Sequence, residues 1–278
     1  MKNNVKIECS DNLSFMKKIK SNTIDLIYCD ILYGTGNNFG VYKDIKAIKR
    51  DIDNHYIPRI KEMYRILKET GTIYLQMDYR ISHWIRLIMD DIFGYDNFRN
   101  EIVWCYLINK GNFKSKYPSR HDTIIFYTKS NNYYFDSEIN RMEISDSVIK
   151  RWGAYADENG EVSYEKLTPG MKKVASKDNK PYIIRGGKQV DWITIPALNS
   201  GASKEVCGYP TQKPLKLIEI FIKASSNEND LVADFYLGSG TTAIACKKLN
   251  RNFIGCDINK EAIEVTNKRL NKLENNLL

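Results

Sequence analysis

The chain contains few of the residues that build metal or disulfide sites. It has three histidines and six cysteines in 278 residues, and the cysteines lie at positions 9, 29, 105, 207, 246 and 256. No two of them form a Cys-x-x-Cys pair. Structural zinc sites need closely spaced Cys and His ligands. We therefore expect no metal site and interpret the cysteines as reduced, buried thiols.

Long apolar runs are also missing. No run approaches the roughly 18 residues that a membrane-spanning helix needs. The first four residues, Met-Lys-Asn-Asn, lack the apolar stretch of a signal peptide. We therefore expect a cytoplasmic protein with no membrane contact.

Basic and aromatic residues, in contrast, are abundant. The formal net charge is +8, and aromatic residues make up 12% of the chain. Lys and Arg neutralise phosphates, and aromatic rings stack on exposed bases. This composition favours a polyanionic partner such as a nucleic acid, but it does not establish one.

Strand and helix patterns alternate along most of the chain. A continuous apolar strand is predicted over 24–29, a helix over 54–67 and a strand over 72–77. The C-terminal part predicts a strand, a helix, a strand and a helix over 231–234, 241–249, 253–257 and 261–273. This alternation predicts an α/β fold with a doubly wound, Rossmann-like sheet that is mostly parallel. The stretch from about 130 to 205 lacks the periodicity and is interpreted as an insertion.

A glycine-containing loop joins the strand ending at Asp234 to the next helix. Its sequence is Gly238-Ser239-Gly240-Thr241. Glycine lets a ligand approach the backbone, and the free N–H groups of a helix N-terminus attract a negative group. Asp257 ends the following strand nineteen residues after Gly238, a spacing at which an acid accepts hydrogen bonds from a ribose. The pattern predicts a nucleoside-containing cofactor.

A second short motif, Asp30-Ile31-Leu32-Tyr33, follows the apolar strand over 24–29. By itself it is equally typical of a catalytic acid with an aromatic neighbour and of a packed strand end. Together with the loop from Asp234 to Thr242, it resembles the permuted β-group of S-adenosylmethionine-dependent DNA amino-methyltransferases, adenine-N6 type. In that group the catalytic tetrapeptide precedes the cofactor loop. Tracts at 101–104, 120–129, 191–195 and 209–214 add to the resemblance.

The resemblance implies a role for each motif. Asp30 and the Ile31 carbonyl would accept hydrogen bonds from the target amine, Leu32 completes the tetrapeptide, and Tyr33 would stack on the base. The tract containing Lys213 would help to close the methionine pocket. Asp11 would accept from the cofactor's adenine amine, or it is an ordinary helix N-cap. The implied cofactor-binding residues are Asp11, Asp30, Lys213, Asp234, Phe235, Tyr236, Gly238, Ser239, Gly240, Thr241 and Asp257.

The tetrapeptide departs from the usual Asp-Pro-Pro-Tyr of the family. Ile31 and Leu32 replace both prolines, which removes the stiffness that proline gives to the backbone carbonyl. The Gly-rich stretch over 34–40 predicts either a mobile flap that orders on DNA or a surface loop.

The resemblance also divides the chain into three parts. Residues 1–129 form the catalytic half of the methyltransferase domain, 130–205 the target-recognition insertion and 206–278 the cofactor-binding half. Basic residues of the insertion would bind DNA phosphates, unless they are only solvated surface charges. These candidates are Lys150, Arg151, Lys172, Lys173 and Arg185.

The sequence therefore predicts a DNA adenine-N6 methyltransferase. It would transfer a methyl group from S-adenosylmethionine to a flipped-out adenine in a specific double-stranded sequence, within a restriction–modification system. A cognate restriction endonuclease and a homodimer are the other expected partners. Two alternatives stay open: a cytosine-N4 or RNA amine methyltransferase, and a catalytically weak DNA-binding regulator, which the lost prolines suggest.

Overall fold

The computed structural model of the protein describes most of the chain. The described residues are 4–40, 42–106, 114–115, 117–142, 144, 146–152, 161–162, 166–172, 182–183, 187–198, 203 and 205–275. Two compact units are present, one made of residues 1–136 and 191–278 and the other of 137–190. Within the described ranges, no helix has both the length and the apolar character needed to cross a bilayer.

The first unit contains an eight-stranded sheet. In chain order its strands are β1 (Val5–Cys9), β2 (Ile24–Asp30), β3 (Leu67–Met77), β4 (Phe98–Cys105), β5 (His121–Thr128), β8 (Trp192–Thr194), β9 (Leu231–Asp234) and β10 (Asn252–Asp257). They lie in the order β1-β10-β9-β2-β3-β5-β4-β8. The first five strands of this order, β1, β10, β9, β2 and β3, are parallel to one another. Strand β5 runs antiparallel to both β3 and β4. The predicted fold class, a mostly parallel doubly wound sheet, is confirmed.

Helices cover both faces of this sheet. They are α1 (Asn12–Met16), α2 (Lys49–Ile66), α3 (Tyr79–Phe93), α5 (Leu215–Ser225), α6 (Thr241–Lys248) and α7 (Lys260–Glu274). The residues of strand β2 from Leu26 to Cys29 are apolar and buried because its two faces enter two different cores. Ile27 packs with α1, α2 and α3, whereas Leu26 packs with α5 and α6. The continuous apolar run is therefore the signature of a strand buried on both faces.

The parallel arrangement brings several chain segments to one edge of the sheet. Strands β1, β2, β9 and β10 end at Cys9, Asp30, Asp234 and Asp257, and their carboxyl ends share this edge. Strand β1 lies beside β10 in parallel. Because β5 runs in the opposite direction, its first residues reach the same edge as the last residues of β3. Ligands of open α/β sheets bind at such an edge.

The predicted starts of α2, at residue 54, and of β3, at residue 72, were wrong. The helix begins at Lys49 and ends at Ile66, and the strand begins at Leu67 instead of at residue 72. Gly71 does not end the helix but lies inside β3, where a Cβ atom would press against the Leu67 side chain and the Lys68 carbonyl. Absence of a side chain at Gly71 therefore allows the irregular start of the strand, where its register against β2 shifts.

The second unit contains a short helix and a small sheet. The helix α4 spans Asp146–Trp152, and β6 (Glu161–Val162) pairs antiparallel with β7 (Tyr182–Ile183). Lys188 forms an ion pair with Glu138 at 2.6 Å and bonds the Ser137 hydroxyl at 3.0 Å. These contacts lie within residues 137–190.

Candidate active site

A cavity of about 600 Å³ opens at the carboxyl edge of the first unit's sheet. It is lined by Asp30, Ile31, Leu32 and Tyr33 from the end of β2 and by Gly238 and Asp257 from the C-terminal part of the chain. Its volume falls in the range of about 300–1,000 Å³ typical of small-molecule sites. The fold thus brings together two motifs that lie about two hundred residues apart in the sequence.

Asp30 is the acidic centre of this cavity. Lys213 Nζ lies 2.6 Å from its Oδ2, and the two side chains are only 10% and 23% exposed for Lys213 and Asp30 respectively. Burial raises the pKa of Asp30, while the Lys213 cation opposes that rise. Burial alone would lower the pKa of Lys213, but Asp30 and Asp122 outweigh it and raise that pKa. Lys213 therefore favours the ionised form of Asp30 against the effect of burial.

Tyr33 stands between two carboxyl groups. Its hydroxyl lies 2.8 Å from Asp30 Oδ1 and 2.5 Å from Asp122 Oδ2. Lys213 Nζ lies 5.0 Å from the centre of the Tyr33 ring, so that a cation covers one ring face. The side chain is therefore fixed at its hydroxyl end and at one face.

Hydrogen bonds hold the backbone of the tetrapeptide where the family has prolines. The Ile31 N–H donates to the Gln76 carbonyl at 3.0 Å, and the Tyr56 hydroxyl donates to the Leu32 carbonyl at 2.9 Å. The Ile31 side chain is 3% exposed and packs in the core. The Ile31–Leu32 segment is thus anchored on both sides, by β3 and by α2.

Asp257 and Gly238 form the opposite part of the cavity wall. The Gly238 N–H donates to Asp257 Oδ2 at 2.8 Å, and the Asn259 N–H donates to Oδ1 at 2.8 Å. Burial raises the pKa of Asp257, and these backbone donors work against the rise. A carboxylate has about four acceptor positions, so further hydrogen bonds from a ribose remain available. Gly238 has φ +51°, a conformation that favours glycine.

Part of the predicted cofactor loop supports the cavity from behind. Asp234, Ser239, Gly240 and Thr241 are not among the described residues that line it. Asp234 accepts from the Tyr236 N–H at 3.0 Å and the Thr242 hydroxyl at 2.6 Å, and burial raises its pKa to about 7.

The second half of that loop packs against α7. Arg269 donates to the Ser239 carbonyl at 2.7 Å and to Thr241 Oγ1 at 3.1 Å. Gly240 has φ +76°, and a Cβ atom there would collide with the Thr266 side chain. The second glycine therefore permits close packing between the loop and the helix.

The region near Asp11 contains charged groups that sequence reasoning missed. Asp11 caps α1 by accepting from the Ser14 N–H at 3.0 Å, and it pairs with Arg59 at 2.9 Å. It also lines the cavity, so the N-cap and ligand-binding interpretations are compatible. His55 lies 3.1 Å from the Tyr236 hydroxyl, and burial together with Arg59 lowers the pKa of His55 to about 4. His55 is therefore neutral near pH 7.

The predicted flap has internal structure in the described residues. Isolated bridges join Thr35 to Lys46 and Asn38 to Lys43. Asp44, which is 4% exposed, accepts from the Thr35 N–H at 2.7 Å and the Thr35 hydroxyl at 2.6 Å. Several residues of this stretch line the cavity, including Phe39 and Tyr42. A buried carboxylate thus fixes the base of the stretch.

Three of the five predicted DNA-binding residues can be placed. Lys150 and Arg151 are exposed in the last turn of α4, and Lys172 is half-buried. Lys173 and Arg185 lie outside the described residues.

The network behind Tyr33 was also missed by sequence reasoning. Asp122 accepts from Gln76 Nε2 at 2.7 Å and from the Tyr106 hydroxyl at 3.1 Å, and Tyr28 donates to the Gln76 side-chain carbonyl oxygen. The available signal was the acid at the start of the strand over 121–128, because an antiparallel β5 carries it to the edge where β2 and β3 end.

The sheet and its edge cavity define an α/β methyltransferase fold. The crystal structure of the M1.HpyAVI–SAM complex shares this fold, with a TM-score of 0.59, 21% identity and coverage of 96% of this chain and 99% of that chain. A model of the DNA methylase family matches residues 24–268. The chain belongs to this DNA methylase family.

Two curated relatives match over most of their lengths. The type II methyltransferase M.HpaI of Haemophilus parainfluenzae is 32% identical over 94% of this chain and 73% of its own length. The DNA adenine methyltransferase YhdJ of Escherichia coli K12 is 29% identical over 94% of this chain and 80% of its own length.

Proposed function

We propose that the protein is an S-adenosylmethionine-dependent DNA adenine-N6 methyltransferase with the permuted β-group order. The observation that carries this proposal is the shared cavity, which is lined both by the tetrapeptide Asp30–Tyr33 and by the loop residue Gly238 with Asp257 at the end of β10. Membership of the DNA methylase family and the adenine methyltransferase YhdJ among its relatives support it further.

The residues of the cavity fit this cofactor. Asp257 offers a half-buried carboxylate for ribose hydroxyls, and Gly238 keeps the neighbouring wall free of a side chain. Asp30 places a negative charge in the same cavity, which favours a cationic sulfonium. When bound, S-adenosylmethionine supplies an electrophilic methyl group. Asp11 and Arg59 remain available for the polar ends of the ligand.

Asp30 would activate the target amine. The lone pair of an exocyclic amine is delocalised into the base, so the nitrogen is a poor nucleophile. Hydrogen bonds from its two N–H groups to Asp30 and to the Ile31 carbonyl favour a more tetrahedral nitrogen and localise the lone pair. The backbone anchors from Gln76 and Tyr56 keep this second acceptor in place. Fixed acceptors of this kind need no reorganisation during the reaction.

Tyr33 would receive the base after it leaves the duplex. Lys213 covers one face of the ring, which leaves the other face for stacking. Base flipping costs a few kcal/mol, and stacking on an aromatic ring returns about 1–3 kcal/mol per base. Stacking on Tyr33 therefore offsets much of the flipping energy.

DNA recognition is proposed for the insertion, of which residues 137–190 form a compact unit. Exposed Lys150 and Arg151 lie together at the C-terminal end of α4. Such charges contact phosphates, while base choice needs contacts to base edges. Swapping 137–190 for the matching segment of a relative should move the methylated sequence without changing cofactor affinity. If the methylated DNA sequence did not change, the residues that recognise it would lie outside 137–190.

The biological setting is also a proposal. M.HpaI is named a type II methyltransferase, which supports a restriction–modification system with a cognate endonuclease for this chain. A cytoplasmic location and a homodimer are expected as well. Sedimentation of the full chain with and without DNA measures the oligomeric state directly.

The decisive experiment is Asp30→Asn compared with Asp25→Asn. Asp30→Asn keeps the shape but removes the charged acceptor, so methyl transfer to DNA should fall by at least about 100-fold. Asp25 is an acid of the same strand that pairs with Lys68 away from the cavity, and its variant should retain activity. Turnover of Asp30→Asn within a few-fold of the wild type would remove Asp30 from the mechanism.

A further inference from the structure

Asp122 is a buried acid with no role in the site as described so far. It is 2% exposed, at the start of β5, and it is not among the described residues that line the cavity. Three donors surround its carboxyl group: the Tyr33 hydroxyl, Gln76 Nε2 and the Tyr106 hydroxyl. Any effect on bound ligands must therefore pass through one of these neighbours.

Tyr33 is the neighbour that connects Asp122 to Asp30. The phenol has a single proton, yet its oxygen lies within hydrogen-bond distance of Asp122 at 2.5 Å and of Asp30 at 2.8 Å. A linear hydrogen bond to one carboxylate leaves the other without it. The shorter contact favours Asp122, in the distance range of about 2.5–2.7 Å for a charge-assisted O–H···O bond.

Gln76 favours Asp122 over Asp30 as the acceptor of the Tyr33 hydrogen bond. Tyr28 donates to the Gln76 side-chain carbonyl oxygen, which turns the amide nitrogen toward Asp122 at 2.7 Å and the Tyr33 oxygen at 3.3 Å. The amide thus supports the acceptor carboxylate and the phenol oxygen from one side. Gln76 has 0% exposure, so water does not compete for these bonds.

We propose, on the basis of the function proposed above, that Asp122 is a positioning residue for methyl transfer. It accepts the hydrogen bond that the Tyr33 hydroxyl donates, which leaves Asp30 Oδ1 available to the target amine and fixes the Tyr33 ring against the base. Lys213 already occupies Oδ2. Without Asp122 the phenol donates to Asp30 and competes with the amine for the remaining acceptor.

A double-mutant cycle between Asp122→Asn and Tyr33→Phe tests this inference. The Asn amide donates to the Tyr33 oxygen and turns the phenol proton toward Asp30. The single-turnover rate of methyl transfer should fall about 10- to 100-fold, the range for one charged hydrogen bond. In the Tyr33→Phe background no phenol proton exists, so Asp122→Asn should change the rate less than about 3-fold.

The matched control is Asp90→Asn. Asp90 also accepts a tyrosine hydroxyl, that of Tyr127 at 2.5 Å, but it lies on α3 away from the cavity. Asp90→Asn should retain the wild-type rate even if it lowers the melting temperature. S-adenosylmethionine affinity, measured by calorimetry, should be the same in all variants except where the fold is lost.

The pH profile gives a second readout. The negative charge of Asp122 helps to raise the pKa of Asp30. Asp122→Asn removes that charge, so the acidic limb of the single-turnover rate should move to lower pH although the rate itself falls. The ionisable groups that face Asp30 in the described structure are Lys213, Tyr33, Asp122, Asp234, Tyr28 and Tyr42.

Three outcomes decide the inference. If Asp122→Asn lowers the rate equally with Tyr33 intact and in the Tyr33→Phe background, or if the acidic limb does not move, Asp122 is only structural. If Asp122→Asn does not fold, Gln76→Met is used instead, because it removes the donor shared by Asp122 and Tyr33. The inference then requires that Gln76→Met lowers the single-turnover rate much less in the Tyr33→Phe background than with Tyr33 intact. A wild-type protein that methylates no DNA would instead refute the proposed function itself.

Discussion

Replacing Lys213 with Met should expose how strongly the cavity depends on one ion pair. The Lys213–Asp30 pair has N···O 2.6 Å and side chains that are 10% and 23% exposed. At an effective dielectric constant near 20, charges at this separation attract by about 6 kcal/mol. Removal of one partner from a buried pair lowers stability by about 3–5 kcal/mol. We expect a loss near 3 kcal/mol at pH 8, because both side chains keep some contact with solvent.

The loss of stability caused by Lys213→Met should become smaller as the pH falls. Burial raises the pKa of Asp30 above its ordinary value, so the native state holds this proton more tightly than the unfolded chain. Asp30 protonation therefore stabilises the native state at low pH, and this contribution is lost as the pH rises through the folded pKa. Without Lys213 the rise in pKa is larger, so stability falls with pH over a wider range.

Urea unfolding at pH 5 and pH 8 measures both effects. Lys68→Met is the matched control, because Lys68 and Asp25 form a pair of the same 2.6 Å length with Lys68 40% exposed. That exposed pair should contribute only about 0–1 kcal/mol. Asp30→Asn combined with Lys213→Met should be less destabilised than the sum of the two single variants. The reasoning would be refuted if Lys213→Met lowered the free energy of unfolding by no more than Lys68→Met does. It would also be refuted if the effect of Lys213→Met did not change with pH.

Three further predictions test other parts of the site. Asp257→Ala should weaken S-adenosylmethionine binding by about 10-fold or more in calorimetry, because charged hydrogen bonds contribute about 1.5–3 kcal/mol each; an unchanged affinity would exclude the proposed ribose contact. Asp234→Asn should flatten the decline in stability between about pH 4 and 7, since the native Asp234 retains its proton up to about pH 7; a curve parallel to the wild type would contradict this. Lys150→Ala with Arg151→Ala should weaken binding to all DNA sequences and flatten the salt dependence, whereas an identical salt slope would leave these residues as solvated charges.

The parts of the fold that could be predicted have a strong local signal. The apolar run over 24–29, buried on both faces as β2, and the alternation after residue 231 predicted the doubly wound sheet. The start of β3 at Leu67 could not be predicted, because Lys68, Glu69 and Thr70 interrupt the strand pattern, and the pairing of Leu67 with Ile24 of β2 is a long-range contact that the local sequence does not specify.

The residues of the candidate site likewise divide into those with a local sequence signal and those placed by long-range packing. Asp30 and Asp257 were predictable because each acid ends an apolar strand. Asp122 was not, because its place depends on β5 running antiparallel, which the local sequence does not specify. Arg59 and His55 lie on the face of α2 toward the cavity and depend on the packing of that helix against α1. Gly240 was predicted to bind the cofactor, but its place against Thr266 of α7 depends on long-range packing that the local sequence does not specify.

The most direct test of the central claim is transfer of a labelled methyl group from S-adenosylmethionine to double-stranded DNA by the purified full chain. The DNA is then digested, and its nucleosides are separated and identified. The account predicts label in N6-methyldeoxyadenosine, at one sequence context, and none with Asp30→Asn. Label in N4-methyldeoxycytidine would contradict the assignment of adenine, and DNA binding without any transfer by the wild type would contradict the claim that the cavity is catalytic.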